Sequence, residues 1–405
     1  MAFVVVLLSK DLTAGVVPGY WPSALGAASF ALPFVAPACA TAAAWEGARC
    51  TRGAVPHWAP IRSGLGVALP LLVPVFALGA VGMAAALALT VAEGHPSGGT
   101  PPVGVIAVWL VVLAAHSCAG FLLGRRLPLV VGAPLALLLS FVLTAYPAAM
   151  EPLWLRHMVD GGLADCCSLD QTPNWRAASS AVVLALGVIV AAVVLLTVLA
   201  RRVRIALTGA AVVVGLVGSG WLAYGVPVVS VGARSAEELQ CAGEKPRICL
   251  WPEAENASMV REDAADALHR LQRAGLVVPD ELTMDSNNPR RGAAFMGLST
   301  NPSGVRSGVG AALLPTNSPT CTGSRQSADG DAFGPTIAWL SLTAGADPQD
   351  IAARYEPGSV AVAVRVQQAA RDRQLAWFQQ NRRALSDCAT HPAPVPAPDA
   401  REAAR

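Results

Sequence analysis

The chain has 405 residues, of which 54% are hydrophobic and 14% charged, with a formal net charge of +2. Charge this sparse, against about 25% in an average soluble protein, excludes a soluble globular fold over the whole length. The near balance of 29 basic and 27 acidic residues excludes a nucleic-acid footprint. The charges are also unevenly placed: residues 1–232 carry 11 Lys+Arg and 7 Asp+Glu, and residues 233–405 carry 18 and 20.

Residues 1–22 stand apart. Residues 2–8 are apolar but too short to span a bilayer, and Gly15, Pro18 and Gly19 mark a turn. No basic stretch precedes the apolar one, as a signal peptide would require. The segment reads as the tail of a first helix that starts outside this sequence, or as a short interfacial segment. Residues 23–232 then hold six apolar runs, at 23–45, 64–92, 103–124, 127–149, 181–200 and 205–231. Runs of about 18 or more apolar residues are long enough to cross a bilayer as helices. The expected fold is therefore an α-helical polytopic membrane bundle of about six full spans, in contact with lipid.

The turns orient the bundle. Arg49, Arg52 and Arg62 lie between the first and second runs, Arg125 and Arg126 between the third and fourth, and Arg201, Arg202 and Arg204 between the fifth and sixth. The other loops carry only Arg156 and Arg176. The positive-inside rule makes the Arg-rich turns cytoplasmic. Loops 93–102 and 150–180 and the region 233–405 are then extracytoplasmic. Pro33, Pro37, Pro70 and Pro74 fall inside runs, and small residues cluster at Gly79 and Gly82 and at Gly215, Gly218 and Gly220. These suit close helix packing, and equally a bundle that moves.

His116 is the one ionisable side chain deep in a run, beside Ser117 and Cys118. Intramembrane ionisable groups often line a pathway, but a neutral imidazole hydrogen-bonded to a carbonyl would also rest there. The longest inner turn, residues 46–62, contains Glu46, Arg49, Arg52, Trp58 and Arg62. It reads either as an interfacial helix broken at Pro56 and offered to a partner, or as a basic loop anchored by Trp45 and Trp58 in the headgroup region.

Region 233–389 reads as a mainly helical extracytoplasmic domain. Helices are expected over 260–275, ended by Gly275, over 334–346, over 348–355 with Asp347 as N-cap, and over 360–388. Residues 287–330 read as loop, with a short strand at 311–314. Residues 390–405 lack a core-forming pattern and are expected to be disordered. On the expected topology six cysteines lie in an oxidising compartment: Cys166, Cys167, Cys241, Cys249, Cys321 and Cys388. Cys241 could close a small loop with Cys249, and Cys321 could meet Cys388. Vicinal Cys166 and Cys167 would be strained if bridged to each other and could instead pair with the domain. Four cysteines already allow three pairings, so connectivity stays open.

Chemistry is sparse. No paired CxxC motif and no HExxH occurs, and the domain has only His269 and His391, so no metal is expected. Glu253 and Glu255 could form an acid/base pair or simply open a helix near Asn256. Ser307 and Ser327 lack the G-x-S-x-G context of a nucleophile. No Walker A motif is present, so any ATP-driven work needs a separate subunit. Neither catalysis nor a cofactor is expected.

Three islands carry a resemblance: residues 42–49 (AAAWEGAR), Leu155–Met158 with Cys166 and Cys167, and residues 249–253 (CLWPE). They resemble actinobacterial ABC-transporter permease-like integral membrane proteins with a C-terminal extracytoplasmic domain. The resemblance implies a permease-like subunit, alone or in a homo- or heterodimer, served by a cytoplasmic ATP-binding subunit. The turn holding Glu46, Arg49, Arg52, Trp58 and Arg62 would sit where such permeases carry their ATPase-coupling element. The outer C-terminus and the large outer domain depart from the common six-helix pattern. The competing expectation is a membrane-anchored extracytoplasmic binding or sensor protein. A membrane-anchored hydrolase comes third.

Overall fold

A computed structural model describes residues 9–53, 63–97, 100–287, 293–315 and 326–397. The chain divides into two compact units, Met1–Arg234 and Ser235–Arg405.

The first unit is a helical bundle. After α1 (Ser9–Thr13), the first apolar run forms two helices rather than one, α2 (Trp21–Ser29) and α3 (Leu32–Arg52), bent by 48° at residues 30–31. Pro33 explains the break: it cannot donate a backbone bond, and its ring crowds the carbonyl of Ser29. Then come α4 (Gly64–Gly94), α5 (Val103–Arg126) and α6 (Leu129–Ala145), followed by a short α7 (His157–Asp160), α8 (Trp175–Leu196) and α9 (Arg201–Ala223). Ser63 caps α4 by accepting from Gly66 N at 3.1 Å, and Asn174 caps α8 by accepting from Arg176 N at 3.0 Å. That cap starts α8 six residues ahead of the apolar run, because capping rather than hydropathy fixes a helix start.

Four helices (α4, α5, α8 and α9) are long and apolar enough to cross a membrane, and α2–α3 as one bent span would make five. The expected count of six is not reached on this measure. With 17 residues, α6 is shorter than its run over 127–149, which ends in a 3-10 turn over Tyr146–Ala149. Pro147 disfavours helix at the residue before it. Large apolar side chains on α6 and α9 face outward, among them Val130, Leu138, Val214, Val217 and Trp221. A water-soluble protein rarely exposes an apolar patch of that extent.

The core sits where α2 and α3 meet α4, α5 and α8: Leu25, Leu32, Val35, Cys39, Met83, Trp109 and Leu113 are all buried there. Trp109 Nε1 donates to Ser29 Oγ at 2.9 Å, meeting the one polar need of this apolar contact. Small residues set the helix spacing. A Cβ on Gly120 would strike the backbone of Ala40, one on Gly124 the backbone of Ala44, and one on Gly47 the backbone of Phe121. Gly187 of α8 meets Gly215 of α9 in the same way, with Ser180 Oγ donating to Ser219 O at 2.9 Å beside it.

The second unit combines helices with a four-stranded sheet. Strand β1 (Gln171–Pro173) pairs with β2 (Val231–Ala233) inside the first unit. The sheet of the second unit is β3 (Gln240–Ala242), β4 (Arg247–Leu250), β5 (Glu281–Thr283) and β6 (Ala293–Phe295), in that order. Strands β3 and β4 are antiparallel, and β4, β5 and β6 are parallel. Helix α10 (Ala257–Arg273) provides the crossover from β4 to β5 that a parallel pair needs. Trp251 Nε1 donates to Met284 O at 3.0 Å, tying the ends of these two strands.

Several expectations for this unit are corrected. Residues 302–311 form a helix, α11 (Pro302–Ala311), where loop was expected, and 311–314 is its end rather than a strand. Asn301 caps it by accepting from Gly304 N at 2.7 Å, and Gly308 lies so close to Met296 O that no Cβ would fit. Its glycines serve close packing rather than a turn. Helix α12 (Gln326–Thr343) begins before 334, and α13 (Pro348–Arg354) starts at the Asp347 cap as expected. The long helix expected over 360–388 is two, α14 (Pro357–Gln367) and α15 (Arg371–Ala384). Gln374 Nε2 donates to both Gln367 O, at 3.0 Å, and Ala369 O, at 2.7 Å, satisfying carbonyls that a continuous helix would have used. Residues 391–397 are not free of the fold: Asn381 Oδ1 accepts from Ala393 N, and Arg373 donates to Ala397 O.

Candidate functional site: a basic end and a cavity in the bundle

The described arginines of the three Arg-rich turns lie at one end of the bundle. Thr51 Oγ1 donates to Arg125 O at 3.4 Å, so the end of α3 meets the end of α5. A Cβ on Gly64 would strike Leu196 O, so the start of α4 meets the end of α8, which leads into Arg201, Arg202 and Arg204. Of the expected coupling residues, Glu46 pairs with Arg49 at 2.9 Å on the last turns of α3, and Arg52 is exposed beside them. Arg126, Arg201 and Arg202 are also exposed, so the end stays strongly basic after the Glu46–Arg49 pair. Trp58 and Arg62, with Pro56, lie outside the described residues.

The other end is capped by loops. Gly19 N donates to Gly94 O at 2.7 Å, Tyr20 Oη donates to Gln171 O, and β1 pairs with β2. Arg234 stacks over the Tyr20 ring with 4.9 Å to its centroid and donates to Leu169 O at 3.2 Å. In this cap Cys166 is bonded to Cys167, not to the second unit as expected. Both are buried, and Gly26 of α2 leaves room for the Cys166 carbonyl. The second unit leaves them no partner at Cys241 or Cys249, which face each other across β3 and β4 and are joined. Cys388 is also disulfide-bonded, and Cys321 lies outside the described residues.

His116 has a setting that sequence reading left open. Its Nδ1 lies 2.6 Å from Ser140 Oγ on α6, so the polar partner is a hydroxyl from a neighbouring helix and not a backbone carbonyl. Both residues border a cavity of about 290 Å³ between α5, α6 and α8, with Ala40 of α3 on its wall. Val112, Leu123, Leu184 and Val188 supply apolar lining, and Met158 and Val159 of the α7 segment close one end. On the α6 side, Leu139 and Leu143 are both cavity-lining and about half exposed, so this wall borders the surroundings of the bundle. The spacing of Ser140 from His116 carries no sequence motif that could have announced the pair.

The expected chemical residues of the second unit do not form a reactive centre. Glu253 and Glu255 lie in the turn before α10, where Asn256 adopts a left-handed conformation. Ser307 is buried on α11, its Oγ enclosed and without a hydrogen-bond partner among the described residues. The side chain of Ser327 is outside the described residues.

Residues 248–388 match a family model described as a domain of unknown function, DUF7224. The match begins on β4 and ends at Cys388, so Cys241 lies before it while its disulfide partner Cys249 lies inside. No curated protein and no solved structure matches the chain.

Proposed function

We propose that this chain is the permease-like membrane subunit of an ABC-type transport system, without an ATPase of its own. The observation that carries the reading is the gathering of the described arginines of the three Arg-rich turns at one end of the bundle. By the positive-inside rule that end faces the cytoplasm, and Ser235–Arg405 then stands outside. A chain that starts at the capped end and returns to it at β2 makes six crossings: α2–α3, α4, α5, α6, α8 and α9. Helix α6 runs about 25 Å at 1.5 Å per residue, enough to cross with its flanking turns. The end of α3, with Glu46, Arg49 and Arg52, and the following turn with Trp58 and Arg62, form the docking element for a separate ATP-binding subunit. The outer unit gates the bundle or captures substrate.

The test is purification of the full chain from native membranes in mild detergent, with identification of what accompanies it. A stoichiometric ATP-binding subunit, lost on changing Arg49, Arg52 and Trp58 to Ala, is expected. A chain that reproducibly comes alone overturns the reading.

A second reading is a membrane-anchored extracytoplasmic binding or sensor protein. It is favoured by the family match of residues 248–388, which lies wholly within the second unit and includes none of the bundle. It predicts outer partners and no ATPase in the same experiment.

A further inference from the structure

We infer that the cavity beside His116 binds a bilayer-dissolved carbonyl compound of the quinone type, held by a hydrogen bond from the imidazole. The inference does not depend on the transport reading.

The hydrogen-bond accounting fixes which way the site points. Among the described residues, His116 and Ser140 have only each other as side-chain partners. If Ser140 Oγ–H donates to Nδ1, Nε2–H is the unmet donor of the pair; if Nδ1–H donates instead, the Ser140 hydroxyl hydrogen is. The number of unmet groups is the same, so the tautomer decides: a neutral imidazole intrinsically favours its proton on Nε2, which leaves Nδ1 to accept from Ser140 and Nε2 as a donor. Nε2 is not among the enclosed polar atoms, so it is reachable from the cavity that the ring borders.

The rest of the lining decides the ligand. Every other cavity residue is apolar or glycine, so the occupant is an apolar body with one acceptor. A charged solute would lose its hydration there without replacement. Depth then separates two kinds of carbonyl. His116 stands about 20 Å along α5 from Val103 and about 15 Å from Arg126. In a hydrocarbon core about 30 Å thick that is near the midplane. The ester carbonyls of a phospholipid are tied to the headgroup region and do not reach it. A carbonyl inside an apolar ring system, free to enter past Leu139 and Leu143, does.

The test is equilibrium binding to the full-length protein in detergent. Decylubiquinone is compared with decylbenzene, which has a similar tail and no carbonyl, and with dioleoylphosphatidylcholine. Saturable binding of decylubiquinone is expected, about tenfold tighter than decylbenzene, as one buried hydrogen bond implies. His116→Phe should remove that preference, and His116→Gln, which keeps a donor, should retain part of it. Elution and circular dichroism check that each variant is folded. If His116→Phe does not fold, the comparison of the two probes on the unaltered protein decides. Equal binding of the two probes makes the cavity an acyl-chain slot and overturns the inference, as does tighter binding of the phospholipid. Absence of saturable decylubiquinone binding overturns it as well.

Discussion

Replacing Gly124 with Ala tests the seam on which the first unit is built. Gly120 and Gly124 lie one turn apart on α5 and rest on the backbone of Ala40 and Ala44 of α3. A Cβ at Gly124 falls on the carbonyl of Ala44. The obstacle is backbone, so no rotamer change relieves it, and the helices must part by roughly 1–2 Å. A gap of only about 0.5–1 Å already forfeits a quarter to a half of each contact's dispersion energy. Overpacking of this kind costs about 1–3 kcal/mol. For a unit of this size that is a fall of about 2–12 °C in unfolding midpoint. Gly120→Ala demands the same separation, so the double variant should cost less than the two single effects together. Gly209 on α9 is the control: an added Cβ there meets nothing within 4 Å. Ala is favoured over Gly in a helix by about 0.5–1 kcal/mol, so Gly209→Ala should leave the midpoint unchanged or raise it. The assay is the apparent thermal midpoint of the full chain in detergent. A Gly124→Ala midpoint at or above that of the unaltered protein would refute the close-packed seam.

Other consequences concern the second unit. Cys241→Ser with Cys249→Ser should destabilise it by about 2–3 kcal/mol through the loop entropy released, read as a lower denaturation midpoint and a smaller further fall on adding reductant than in the unaltered protein. Peptide mapping without reduction should find Cys241 joined to Cys249 and Cys166 joined to Cys167, and any crosslink between these two pairs would contradict the assignment. Gln374→Ala removes the cap between α14 and α15 and the acceptor of Trp339 Nε1 at 3.3 Å; a loss of about 1–2 kcal/mol is expected, measured by denaturant unfolding. The hydrogen bond from Arg270, at 2.9 Å, is the main reason that the Asp266 carboxyl is held below its ordinary 3.8. Its folded value is depressed, so its contribution is complete above the ordinary value and fades as pH falls through the folded one. The pair is partly exposed, so Asp266→Asn should cost at most about 1 kcal/mol at pH 7, and the difference should vanish in acid. A difference that grows in acid would reverse the argument.

The long apolar runs and the Arg-rich turns were legible in the sequence because each depends only on local composition. A span is about 20 consecutive apolar residues whatever surrounds it, and the grouping of Arg49, Arg52, Arg125, Arg126, Arg201, Arg202 and Arg204 follows from alternation. The Asp347 cap of α13 was legible for the same reason, since a cap involves residues two or three apart. The β-strands were not: three or four residues such as those of β4 and β5 are too few to show a period, and they become strands only because partners lie alongside. Residues 302–311 looked like a loop from their glycines, yet those glycines admit the backbone at Met296, a contact made by the fold. The pairing of Cys241 with Cys249 was open in the sequence because it depends on β3 and β4 lying side by side. The single helix expected over 360–388 was divided by one side chain, Gln374, that reaches back to carbonyls it can meet only after the chain has turned. His116 was visible as an ionisable residue in an apolar run, but its meaning rested on Ser140 from another helix and on the cavity between them. Composition determines which segments leave water; which polar groups then meet, and what space they leave, is decided only when distant segments pack.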